Sequence, residues 1–302
     1  MKRYTSVLAA GALALALAGC GNEDPEPVAS DPGEDQSSPA TPEQDPSGST
    51  GEPETSAPAV ETVTVPVYFV GRTPQGQRLF REFRRVEADN PLSEAVALLT
   101  AGDVADPDYR TLFPGGGTFK SVRYAEDAGT FVVELADDAW KNRSADMSKS
   151  AARLALQQLV YTLQGVQQER APVVVRSGGA PTTLFGIQTT DGVEAEPQLD
   201  VLALVNVTTP EQAQQVSGKF TADGVASSFE ATVPWEIRQG DQVVKKGFAT
   251  ATGWMDKLYP WQTKVDVSGL EPGEYTFVAM TDDPSDGEGF GPTEDTKTII
   301  VK

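Results

Sequence analysis

Histidine is absent from this chain of 302 residues, and cysteine occurs once, at Cys20. Without histidine, serine and cysteine nucleophiles lose their usual base. The two scarcities together exclude a zinc site built from Cys and His, and a lone cysteine closes no internal disulfide. Positive charge is also scarce, with 24 Lys and Arg against 44 Asp and Glu, a net charge of -20. That sign disfavours a nucleic-acid partner. The longest apolar run, residues 7–18, is too short to span a bilayer, which takes about 20 residues.

What is present begins with an address. Lys2 and Arg3 precede that apolar run, and the small residues Leu17-Ala18-Gly19 come just before Cys20, the pattern of a cleaved export signal over residues 1–19. Leu17-Ala18-Gly19-Cys20 resembles the lipobox at which bacterial lipoproteins are cut. The resemblance implies a thioether-linked diacylglycerol on Cys20 and a membrane partner reached through that lipid, where two or more acyl chains hold stably. It places the protein on the extracytoplasmic face of the cell membrane. An ordinary signal peptide with a coincidental cysteine is the competing reading.

Residues 20–61 form a tether. Positions 21–61 carry 11 acids and no Lys or Arg, with abundant Pro, Ser, Thr and Gly. Such a segment buries too little apolar surface to offset its ordering entropy and is expected to be disordered. Its self-repulsion extends it, with a reach on the order of 100 Å. The alternative is a tail that binds basic partners or cations.

The remainder reads as two domains, 62–195 and 196–302. In the first, Val63, Val65, Val67 and Phe69 alternate along a strand in which Pro66 marks an edge. "RLFREFRRV" returns as a second strand, and Asn90-Pro91 opens a helix to about Ala101. After a long loop, "FKSVRYA" and "TFVVEL" form a hairpin turning at residues 126–129. Ala152, Ala155, Leu159 and Leu163 recur at helical spacing, widened by Leu156 and Val160, and two short strands close the domain. The second half contains seven strand-like runs: "LDVLALVNV", "VSGKFTA", "SFEATVPWEIR", "QVVKKGFATAT", "PWQTKVDV", "EYTFVAM" and "TKTIIV". In the third, Phe229, Ala231, Val233, Trp235 and Ile237 share a side, and in the fifth Trp261, Thr263, Val265 and Val267 do. The pattern predicts an antiparallel immunoglobulin-type sandwich, with Trp235, Trp254 and Trp261 as candidates for its centre.

The first domain resembles the GerMN (sporulation and spore germination) family, through "VPVYFVG", "AVALLTAG", "DPDYRTLFPGGGTFKSV", "GTFVVELADDAW", "ALQQLVYTL" and "GVQQERAPVVV". It departs from the family between Pro114 and Thr118, which enclose three glycines. The second domain resembles the immunoglobulin-like domain of bacterial spore germination, through "GFATATG", "YPWQTKVDVSGLEPGEYTFVAMTDDPSDGEG" and "IIV". Together they imply an α+β fold, a GerMN-type sheet with two helices, followed by an all-β sandwich. Behind a lipobox and an acidic tether, the pair is similar to actinobacterial envelope lipoproteins. The resemblance implies assembly work at the cell surface without implying spores, and its relatives include a lipoprotein that modulates a sensor kinase. It brings no catalytic residues and no cofactor.

Chemistry in the residues themselves is sparse. There is no Ser-x-x-Lys, no G-x-S-x-G elbow and no phosphate-cradling G-x-x-x-x-G-K-[ST]. Asp106 and Asp108 flank Pro107, where paired acids serve glycan cleavage if they face a cleft, or else shape a turn and cap backbone amides. The acidic loop 282–288, from Asp282 to Glu288, has oxygen ligands suited to calcium, but Pro284 stands at the third ligand position and Thr293 at the last. Arg78, Arg81, Arg84 and Arg85, interleaved with Phe80 and Phe83, form a basic cluster. It suits an anionic glycan, a teichoic polymer or an acidic protein face, or else serves to discourage edge pairing. Exposed strand edges offer a second route to partners. The expectation is a non-enzymatic, lipid-anchored envelope protein that binds or scaffolds envelope proteins or cell-wall polymer. A regulatory subunit of a sensor kinase and a carboxylate-based glycan hydrolase are the alternatives.

Overall fold

The structure is a computed structural model that describes residues 61–283, 288–289 and 291–302. The export signal, Cys20 and all of the tether before Glu61 lie outside the described residues, as do positions 284–287 of the acidic loop.

The chain begins with a long two-stranded ribbon, β1 (Thr62–Thr73) and β2 (Gly76–Glu87), followed by helix α1 (Pro91–Ala101). Pro91 occupies the first helical turn and Gly102 ends the helix in the left-handed conformation, φ 68°, which glycine adopts without a Cβ penalty. The Asn90 side chain makes no capping bond. Strands β3 (Phe119–Ala125) and β4 (Thr130–Leu135) form the expected hairpin, turned by Gly129 at φ 56°. Helix α2 (Lys149–Gln167) leads to β5 (Val173–Ser177), β6 (Ala180–Pro181), and the small hairpin of β7 (Thr183–Leu184) and β8 (Ile187–Gln188). The first domain thus holds a ribbon, β1-β2, and a separate four-stranded sheet in the order β3-β4-β5-β6.

Helix α2 is the axis of this domain. Ser148 caps it by accepting from Ala151 N, and Ala152, Ala155, Leu156, Leu159, Val160 and Leu163 pack against Val65, Val67, Phe69, Phe131 and Val173. The polar residues of "ALQQLVYTL" are buried as well and serve the backbone of neighbouring segments. Gln158 Nε2 donates to Tyr68 O at 3.0 Å and its Oε1 accepts from Leu112 N at 2.9 Å. Thr162 Oγ1 accepts from Tyr68 N at 3.1 Å. Two positions further along β1, Val70 exchanges both backbone bonds with Arg110. Pro66, at the same parity, has no N–H to offer and packs under Gly165. The outer edge of β1 from Pro66 to Val70 is therefore covered, as buried edges must be, and is closed to an added strand. Pro66 thus stands at a strand edge, as expected, and that edge is a covered one.

The linker corrects the first of the seven predicted strands. Its first residues fall in a short helix, α3 (Gln198–Val201), and β9 (Val205–Thr209) follows. Val201 and Leu202 are withdrawn from the sheet because they pack on Val70, Leu79 and Tyr161 of the first domain, and Ala203 N donates to Leu79 O. Strands β10 (Gln214–Val216), β11 (Lys219–Ala226), β12 (Thr232–Gln239), β13 (Gln242–Thr250), β14 (Tyr259–Asp266), β15 (Gly273–Met280) and β16 (Glu294–Val301) complete the second domain. They form sheets of order β10-β16-β15-β12-β13 and β14-β11-β9, facing each other across Val207, Val233, Trp235, Ile237, Trp261, Val265, Phe277 and Ile299. This is an immunoglobulin-like sandwich without a cystine. Trp235 and Trp261 are central, as expected, whereas Trp254 lies at the surface, 37 % exposed, edge-on to an equally exposed Phe229. Phe229 falls outside β12 because a short 3-10 turn, Phe229–Ala231, precedes the strand.

Candidate functional site at the domain seam

Two domains of ordinary size pack here into one compact unit, and the polar residues concentrate where they meet. Strand β16 directs alternate side chains inward: Ile299 and Val301 enter the sandwich core, and Asp295 and Lys297, at the same parity, extend that row to the end covered by the first domain. From the other side come the 102–118 loop, bringing Asp106 and Tyr109, and the inward-facing Glu82 of β2.

Lys297 Nζ donates to Asp106 Oδ2 at 2.6 Å, to the Tyr109 hydroxyl at 2.7 Å and to Asp295 Oδ1 at 2.9 Å. All three of its protons are thereby used. The Tyr109 hydroxyl donates to Asp295 Oδ1 at 2.5 Å. The second oxygen of Asp295 accepts from Asn206 Nδ2 at 3.0 Å and from Val207 N at 2.6 Å, tying the two sheets of the sandwich together. Asp106 Oδ1 accepts from Asp108 N, and the Glu82 carboxylate accepts from Ala105 N and Asp106 N, holding the loop in shape. Asp106 and Asp295 are each 2 % exposed and Lys297 is 4 % exposed.

Burial sets the proton affinities. It raises the Asp106 and Glu82 carboxyls above their ordinary values, against the opposing positive charges of Lys297 and Arg84. The Tyr109 phenol is raised well above its usual value by burial and then by the negative charges of Asp295 and Asp106. Burial pulls Lys297 down, but Asp295 and Asp106 outweigh it and the ammonium is held above its usual value. The arrangement is an ion cluster in which the Lys297 ammonium, the Tyr109 hydroxyl and the Asp106 and Asp295 carboxylates engage one another. Asp106 is buried, and its two carboxylate oxygens are taken by Lys297 Nζ and Asp108 N. Asp108, exposed, accepts from Thr296 Oγ1 at 2.8 Å, a further bond between the domains.

The four arginines do not form one patch. Strand alternation puts Arg78 and Arg84 on the face of β2 that carries Phe80 and Glu82, and Arg81 and Arg85 on the opposite face. Arg81 donates to Thr208 Oγ1 across the seam at 3.1 Å and its guanidinium lies 4.6 Å from the Phe83 ring centre. Arg84 pairs with Glu82 at 3.5 Å and Asp103 at 3.4 Å. Among the described residues, Arg78 and Arg85 make no ion pair. Asp295 and Lys297 escape a motif search because they belong to no motif. The available signal was their parity with Ile299 and Val301.

The last of the three glycines after Pro114 also finds its reason here. A Cβ on Gly117 would lie 2.4 Å from the Trp140 ring, whose Nε1 donates to Pro114 O at 2.9 Å. The loop thus closes over a buried aromatic group that includes Phe113, Phe119 and Phe185.

With this geometry established, two family models match: sporulation and spore germination over residues 66–183, and the immunoglobulin-like domain of bacterial spore germination over residues 204–288. The chain joins a GerMN domain to a spore-germination-type immunoglobulin-like domain. Among solved structures it is similar to the tandem GerMN domains of the sporulation protein GerM from Bacillus subtilis, with 13 % identity and a TM-score of 0.35. That match covers 70 % of this chain and 63 % of that one, so the chain spans less than two thirds of the GerM chain. A second similarity is to fibronectin(III)-like modules of CbhA from Clostridium thermocellum, with 19 % identity, 32 % of this chain, 94 % of that chain and a TM-score of 0.22. No curated protein matches. In these terms the seam cluster lies between the GerMN loop 102–118 and the last strand of the immunoglobulin-like domain.

Proposed function

We propose that the protein is a non-enzymatic, lipid-anchored component of the cell envelope, held on the extracytoplasmic face by lipid on Cys20. Its GerMN and immunoglobulin-like domains act as one body that binds or scaffolds other envelope proteins or cell-wall polymer. The observation that carries this reading is the buried Lys297 cluster, which commits Asp106, one of the two acids a hydrolase would need, to joining the two domains. A body joined in this way presents fixed surfaces from both domains at once, which suits scaffolding more than turnover. The acidic tether gives that body reach from the membrane.

Fractionation and cell-wall binding test the proposal. The wild-type chain should sediment with membranes, and Cys20→Ala should appear in the medium or persist as an uncut precursor. The mature protein should co-sediment with purified cell wall, or with envelope proteins cross-linked in place, without releasing sugar. Unchanged partition of Cys20→Ala, or sugar release abolished by Asp108→Asn, would overturn it.

A further inference from the structure

One face of the seam is left with a donor and an acceptor that the protein does not pair. Tyr68, Leu79 and Arg81 from the GerMN domain, Leu202 from the linker, and Asn206 and Val225 from the sandwich enclose a small cavity of about 80 Å³. Among the described residues, Arg81 Nε and Asn206 Oδ1 are buried without a hydrogen-bond partner. Asn206 is 3 % exposed.

The orientation of the Asn206 amide is not arbitrary. Its nitrogen faces Asp295 Oδ2 at 3.0 Å, and an ionised carboxylate only accepts. A flipped amide would set oxygen against oxygen, so Oδ1 must point away from Asp295. Arg81 is held by its bond to Thr208 and its contact with Phe83, and its Nε–H is left buried without a partner. Both residues line this cavity, and a buried acceptor and a buried donor left without partners are costly, which calls for a molecule that donates to one and accepts from the other. A volume of about 80 Å³ has room for ordered water, which needs only about 10–15 Å³ of such space.

We propose that this cavity is a structural water site, in which one ordered water accepts from Arg81 Nε and donates to Asn206 Oδ1. The water extends the Asp106–Lys297–Asp295–Asn206 network to Arg81 and Thr208, so the polar seam continues past the ion cluster instead of ending at Asn206. The two domains are then joined by an ion cluster at one end and a hydrated bridge at the other.

A crystal structure of the full chain, at a resolution that shows ordered solvent, decides the matter. The expected result is a single solvent peak within about 3.2 Å of both atoms. An empty cavity, or Arg81 Nε bonded directly to a protein acceptor, overturns the proposal. A double-mutant cycle in the full chain gives a second reading without crystals, using Arg81→Met, Asn206→Leu and the pair, followed by urea unfolding. Residues bridged by a water should couple by at least about twofold in the unfolding equilibrium constant. Strictly additive effects would count against the bridge.

Discussion

Lys297 Nζ lies 2.6 Å from Asp106 Oδ2, although 191 positions separate the two residues. One belongs to the last strand of the immunoglobulin-like domain and the other to a GerMN loop, and each is buried. Removing the ammonium would leave Asp106 and Asp295 facing each other in the interior. Lys297→Met should therefore destabilise the protein by about 3–5 kcal/mol, the usual result of breaking a buried pair from one side. Urea unfolding followed by tryptophan fluorescence measures it, and a second transition should emerge as the domains uncouple. A loss below about 1 kcal/mol would show that the cluster does not hold the seam.

Alkaline pH should weaken the protein. Burial raises the phenols of Tyr109, Tyr161 and Tyr68 above the usual 10.0, Tyr161 to about 12. Lys297 is also raised, by Asp295 and Asp106 against the effect of burial. The folded state keeps these protons at pH values where the unfolded chain has released them. It then binds more protons than the unfolded state, and stability falls as pH rises. The urea midpoint should fall steadily from about pH 10 towards about pH 12, and a level or rising midpoint would contradict the assignment.

At Gly165 two effects of opposite sign compete. Alanine in a helix interior is favoured over glycine by about 1 kcal/mol, yet a Cβ here would lie 2.7 Å from Pro66 Cγ. Pro66 is buried in a covered strand edge and its ring has little room to yield. Overpacking of this kind costs about 1–3 kcal/mol, so Gly165→Ala should lower the thermal midpoint. A rise would mean that α2 moves off β1 freely.

Two tryptophans of the second domain should separate sharply. Trp261→Ala removes a ring 3 % exposed and should cost about 3–5 kcal/mol. Trp254→Ala removes a ring at the surface, 37 % exposed, and should cost less than about 1 kcal/mol. Equal losses in chemical denaturation would return Trp254 to the core.

The bond from Thr162 to the β1 edge can be tested alone. Thr162→Val preserves shape but leaves the Tyr68 N–H without the acceptor it has at 3.1 Å. A buried donor left unsatisfied costs about 1–3 kcal/mol. Amide exchange at Tyr68 should accelerate by the same factor as the loss in stability, and unchanged exchange would rule out this role for Thr162.

Much of the local structure could be read from pattern alone. The apolar spacing from Ala152 to Leu163 marked a core helix, the turn at Gly129 marked a hairpin, and inward alternation marked Trp235 and Trp261. These signals are local, since each depends on residues within a turn or two of one another. Where neighbours from elsewhere intervened, pattern misled. Leu202 continued an apolar run and left the sheet to pack on Val70. Phe229 kept the alternation of β12 but fell beyond a turn, and the arginines of β2 were close in sequence yet divided between two faces.

By itself the sequence determined the two-domain order, the kinds of element and most of the apolar positions facing each core, because helix and strand periodicities are written into consecutive residues. Only the tertiary structure decided that Asp106, Tyr109, Asp295 and Lys297 would share one buried site. Charges distant in the chain have no periodicity that announces their meeting, and Coulombic pairing acts only once packing has brought them within hydrogen-bond distance in a medium that screens them little.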